Sequence, residues 1–191
     1  AVVAAEVRKL AETAGRSAEQ ISRLALYDAW VYEEQLPTFF HWSRADGVGE
    51  TLFSLFYSER SDEKMAMAFY DPSVIPEKLV DDVERALGRP GAEAGALAAV
   101  RGQHFLELQA KYKGIKQPTL LLWGREDVVT TLRFGERLSH DLPNAKLVVY
   151  PLCGHFPMIE SASASTADLE TFLEPELTAA QQSPTPPDDA K

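Results

Sequence analysis

The chain has 191 residues, 45% of them hydrophobic, with a formal net charge of −10 and a pI near 4.9. That is apolar material for one domain core, and the acidic balance disfavours nucleic acid and anionic membrane surfaces as partners. No apolar stretch approaches the ~18 residues a membrane span needs, and the single Cys153 excludes an internal disulfide.

In chain order, Ala1 to Ala11 places Val3, Val7, Leu10 and Ala11 on one helical face, with Gly15 as a stop. A polar loop, Gly15 to Gln20, leads to Ile21-Ser-Arg-Leu-Ala-Leu-Tyr27, which reads as a strand ending at Asp28. Residues 29 to about 112 lack strand alternation and read as mostly helical, broken at Pro37, at 46–49, at Pro72 and Pro76, and at 88–91. Within them Pro76 suits a first helical turn, and Ile75, Leu79, Val83 and Leu87 make one apolar stripe. This segment also holds many aromatics. Trp30, Phe39, Phe40, Phe53 and Phe56 are candidates to line an apolar pocket, with Phe156 from further on; the alternative for each is a place in the segment's own core.

Two buried-strand signals follow. Pro118-Thr-Leu-Leu-Leu-Trp-Gly124 is a short apolar run closed by a glycine, and it delivers Asp127 to its C-terminal end. Leu132 to His140 reads as a helix, His140 meeting its C-terminus. Ala145-Lys-Leu-Val-Val-Tyr150 is stopped by Pro151 and delivers His155 in Cys153-Gly-His-Phe-Pro157, after which Met158 and Ile159 should pack back onto the fold. A carboxylate and an imidazole on adjacent strand ends suit proton transfer to and from a nucleophile. His41, His104 and His140 have no recurring metal-ligand spacing, so no zinc site is expected. Residues 167–173 read as a closing helix packed through Leu169, Phe172 and Leu173, and the proline-rich residues 179–191 as a disordered tail.

The strand ending in Trp-Gly-x-x-Asp127, then Leu142-Pro-Asn-Ala145, then Gly-His155-Phe-Pro with Glu160 after it, resembles the C-terminal part of lid-bearing α/β-hydrolases, over roughly residues 1 to 175. The resemblance implies an α/β fold: residues 1–28 as helix and strand of the hydrolase core, 29–112 as a helical lid, and 113–178 as the C-terminal part of the core. It implies His155 as the catalytic base, Asp127 as its orienter and Asp28 as an alternative acid, since some branches place the acid at that earlier strand end. Two departures fall where the family often has Pro, at Thr130 or Thr131 and at Ser161, and neither is expected to touch the proton-transfer groups.

There is no Gly-x-Ser-x-Gly here; the nearest approach is Gly15-Arg-Ser17-Ala in the polar loop. The expectation is therefore that the nucleophile lies upstream, on a companion segment or chain of roughly a hundred residues on the family's pattern, and that these residues do not fold alone as a monomer. The implied activity is hydrolysis of an ester or related acyl bond in a small apolar substrate, with no cofactor. An Asp nucleophile would instead give an epoxide hydrolase or dehalogenase, and a Ser could also serve carbon-carbon bond hydrolysis. A non-catalytic binding protein or scaffold on the same fold is the alternative of another class. No signal sequence is visible, and a cytoplasmic location is expected.

Overall fold

The computed structural model describes residues 21–57 and 61–182, with the backbone alone at Ser61 and 175–182. The helix expected over residues 1–11 and the end of the expected tail lie outside them.

Three parallel strands form one sheet in the order β1 (Leu24–Tyr27), β2 (Thr119–Gly124), β3 (Ala145–Tyr150). β2 is central and every one of its six residues is buried, as its unbroken apolar run requires. Leu121 and Trp123 face one layer, with Tyr32, Tyr112, Phe134 and Leu138. Leu120 and Leu122 face the other, with Tyr150, Cys153 and, at its margin, Phe172. β1 is shorter than the expected Ile21–Tyr27. Its first ladder pair is Leu24 with Thr119, and the next residue back on β2 is Pro118, which has no N–H to donate.

Between β1 and β2 lies the helical insertion. Its helices are α1 (Thr38–Ser43), α2 (Val48–Phe56), α3 (Ser61–Ala68), α4 (Glu77–Leu87), α5 (Ala92–Arg101) and α6 (Phe105–Gln109). Its base is fastened to the core. Tyr32 sits among Tyr112 and Phe134, donates its hydroxyl to Asp141 at 2.7 Å, and carries the Arg137 guanidinium on its ring at 4.0 Å. The Tyr112 hydroxyl returns to the carbonyl of Val31, whose N–H, with that of Tyr32, donates to the Gln35 side chain. The outer part has a small core of its own, Phe53, Leu97 and Val100. On α4 the stripe Ile75, Leu79, Val83 and Leu87 is only half-buried, with Pro76 capping the helix rather than opening it.

α7 (Leu132–Asp141) connects β2 to β3 and lies close on Trp123, because a Cβ at Gly135 would stand 2.7 Å from the indole. The one-turn α8 (Pro157–Glu160) and the long α9 (Ala162–Gln182) complete the chain. Here three expectations are corrected. It is Pro157 that is buried after the histidine, with Ile159 half-buried and Met158 exposed. The closing helix starts at Ala162, five residues early, because the fully buried Ser165 donates its hydroxyl to the carbonyl of Pro157, fixing the corner before any apolar residue appears. α9 also runs to Gln182, past the expected start of the tail at 179. Phe172 reaches the core as expected, and Asp168 accepts from the Tyr150 hydroxyl at 2.8 Å. Among the described residues no helix is long and apolar enough to cross a membrane.

Candidate active site

The C-terminal ends of β1, β2 and β3 bring three side chains together: Asp28, Asp127 and His155, each offering an atom within 4.8 Å of the others'. Strand ends in a parallel sheet collect side chains in this way because all three strands run in one direction. The β2 and β3 loops approach so closely that a Cβ at Gly124 would stand 1.8 Å from the carbonyl oxygen of Gly154. A residue other than glycine there would drive the loops apart.

Asp127 is buried, and both of its oxygens are spoken for. Oδ1 accepts the N–H groups of Val129 at 2.7 Å and Thr130 at 3.0 Å, the turn an Asp makes with its own following backbone. Oδ2 accepts the Thr130 hydroxyl at 2.6 Å and lies 3.0 Å from Nδ1 of His155. Burial alone would raise its pKa, but the hydrogen bonds of His155 and Thr130 and the imidazole's charge outweigh it and hold the carboxyl down at about 2. An ionised carboxylate facing Nδ1 selects the tautomer with its proton there and leaves Nε2 free to act as base. Four donors on two oxygens also occupy the lone pairs a cation would need, so the cluster suits an acid–base pair better than a metal centre.

Asp28 has a different environment. Its φ of 36° is a left-handed conformation, which Asp tolerates better than most residues. Oδ1 accepts the N–H of Gly124 at 3.0 Å, across the sheet, while the buried Oδ2 has no hydrogen-bond partner among the described residues. Burial pushes its carboxyl up to about 9; the Gly124 N–H opposes this and the Asp127 carboxylate reinforces it. Asp28 thus keeps its proton at neutral pH and bonds the neighbouring strand rather than the imidazole.

Thr130 overturns the expectation that departures from the family pattern lie clear of the proton-transfer groups. Its hydroxyl, fully buried, reaches Asp127 Oδ2, the Asp28 carbonyl at 2.9 Å and His155 Nδ1 at 3.3 Å, and its own carbonyl accepts from the Trp123 indole at 2.7 Å. The signal in the sequence is a hydroxyl residue three positions after the acid, where it can close back on the carboxylate.

The candidate pocket residues divide. Phe39, Phe40, Phe53 and Phe56, with Tyr57, Lys64, Ala96 and Val100, line an apolar cavity of about 620 Å³ in the insertion. Trp30 packs on Phe40 at 5.3 Å, next to the cavity and two residues past Asp28, without lining it. Phe156 turns elsewhere, meeting Phe69 at 4.8 Å and the edge of His155 at 5.2 Å.

Residues 12–162 match the family described as alpha/beta hydrolase fold. The chain belongs to that family. A pimeloyl-[acyl-carrier protein] methyl ester esterase of Nitrosomonas europaea is 28% identical over 133 residues, 68% of this chain and 48% of that protein. A 2-hydroxy-6-oxononadienedioate/2-hydroxy-6-oxononatrienedioate hydrolase of Burkholderia vietnamiensis is 33% identical over 115 residues, 58% of this chain and 40% of that one. The chain thus spans about half the length of the curated relatives it matches, or less. Among solved structures, the 2-hydroxy-6-oxo-6-phenylhexa-2,4-dienoate hydrolase of Rhodococcus sp. strain RHA1 superposes with a TM-score of 0.64 at 20% identity, over 90% of this chain and 60% of that one, a likeness of fold.

Proposed function

We propose that this chain is the acid- and histidine-bearing part of a hydrolase that cleaves an ester or related acyl bond in a small apolar substrate. The observation that carries the reading is the buried Asp127 carboxylate, fully supplied with donors, held 3.0 Å from Nδ1 of His155. In the proposed reaction a nucleophile, supplied from outside these 191 residues, attacks the acyl carbon as Nε2 of His155 takes its proton. The leaving group departs with that proton, and the same nitrogen then activates water to release the acyl product. Asp127 holds the ring and stabilises its protonated form. The insertion acts as a lid whose phenylalanine-lined cavity receives the apolar part of the substrate. No cofactor takes part.

A companion segment pairing with β1 is part of this proposal; among the described residues β1 is bonded on one edge only. A cytoplasmic setting is also proposed, and the buried free thiol of Cys153 is compatible with a reducing compartment. Carbon-carbon bond hydrolysis is the second reading, supported by the 33% identity to the Burkholderia vietnamiensis enzyme. Assaying the complete protein on a methyl ester and on a 2-hydroxy-6-oxo-dienoate separates the two. In either case His155→Ala in the complete protein abolishes turnover; activity within about tenfold of wild type would overturn the assignment.

A further inference from the structure

The loop that carries His155 rests on the insertion as well as on the sheet. Its own N–H donates to the carbonyl of Ala68, the last residue of α3, at 2.7 Å. One residue earlier, a Cβ at Gly154 would stand 2.4 Å from that carbonyl and 2.7 Å from the nitrogen of Tyr70, so the two backbones are in direct contact. One residue later, Phe156 packs on Phe69. Glu160 closes the arrangement from α8. Its Oε1 accepts the N–H of Gly154 at 2.9 Å and of Phe156 at 3.3 Å, and its Oε2 accepts the N–H of Tyr70 at 2.7 Å. A single carboxylate therefore holds both neighbours of the histidine with one oxygen and the insertion with the other.

We infer that Glu160 is a positioning residue that locks the 68–70 turn of the insertion to the His155 loop, so that the seat of the insertion and the seat of the imidazole are set together. This rests on the reading of His155 as the proton-transfer residue. The carboxyl group suits the task because it offers an acceptor on each side. An amide has one acceptor only, and the two donors of the histidine loop outnumber the single donor of Tyr70, so glutamine at this position keeps the loop and releases the insertion. Alanine releases both.

The experiment compares Glu160→Gln and Glu160→Ala in the complete protein, with kcat and KM for a short activated ester and amide hydrogen exchange at residues 68–70 and 154–156. Glu160→Ala is expected to lower kcat by about tenfold to a hundredfold, as a misplaced catalytic group does, and to speed exchange in both segments. Glu160→Gln is expected to keep kcat within about threefold, raise KM and speed exchange at 68–70 only, a split that a general loss of stability does not produce. Should Glu160→Ala fail to fold, the glutamine variant carries the test. Unchanged exchange at 68–70 in Glu160→Gln overturns the inference, as does kcat within about threefold in a folded Glu160→Ala. If His155→Ala proves active, the functional reading has failed, while the exchange result still decides whether Glu160 joins the two segments.

Discussion

The sheet end and the insertion are built on opposite principles. At the sheet end every β2 residue is buried, main-chain groups of two loops are in contact, and the polar side chains between them are held by specific donors. In the insertion, α4 buries no residue although it carries an apolar stripe, and Trp42, Leu55, Phe56, Met67 and Leu106 stay exposed. On the proposed reading the first region fixes atoms for proton transfer; the second surrounds a cavity with adaptable apolar surface. A substitution at the sheet end should therefore act on rate and folding, and one in the insertion on substrate affinity.

The largest effect should come from the sheet end. Asp127→Asn in the complete protein removes the acceptor that selects the Nδ1–H tautomer and should lower kcat by about a thousandfold or more in steady-state ester hydrolysis, with the fold intact. Next is Gly124→Ala, whose methyl would meet the Gly154 carbonyl head-on. Because backbone rather than a flexible side chain stands in the way, it should cost about 3 kcal/mol or more in denaturant unfolding.

Asp28→Asn sharpens the comparison within the sheet end. The carboxyl keeps its proton in the folded state up to about pH 9 but loses it near the ordinary value when unfolded, so the unfolded state binds fewer protons between those limits. Wild-type stability should fall as pH rises through that window. Asparagine keeps an acceptor for the Gly124 N–H and has nothing to ionise, so thermal unfolding should show Asp28→Asn gaining on wild type steadily from pH 5 to pH 8, with kcat little changed. The smallest effect belongs to the insertion. Phe39→Ala, opening the cavity wall where Phe39 stacks on Phe53 at 5.6 Å, should raise KM for an apolar ester by about tenfold and leave kcat within about twofold. A kcat loss as large as its KM change would erase the distinction between the two regions.

What could be read in advance follows the same division. β2, Asp127 and His155 were legible because a short apolar run between Pro118 and Gly124, and a glycine-flanked histidine after a second run, are local signals. Thr130 and Glu160 were legible only in their local bonds, to Asp127 and to Gly154 and Phe156; the bonds that tie them to Asp28 and to Tyr70 of the insertion span 102 and 90 residues of sequence. The early start of α9 was hidden in a run of Ala, Ser and Thr whose anchor is one buried hydroxyl, Ser165. By residue type Phe156 belongs with the pocket aromatics; the structure spends it instead on Phe69, where the histidine loop meets the insertion.

The central claim, that Asp127 and not Asp28 holds the catalytic imidazole, is tested most directly by the Nδ1 proton of His155 in the complete, ¹⁵N-histidine-labelled protein. A strongly downfield Nδ1–H resonance that vanishes in Asp127→Asn and persists in Asp28→Asn is the predicted result. A resonance that survives Asp127→Asn and is lost in Asp28→Asn would contradict it.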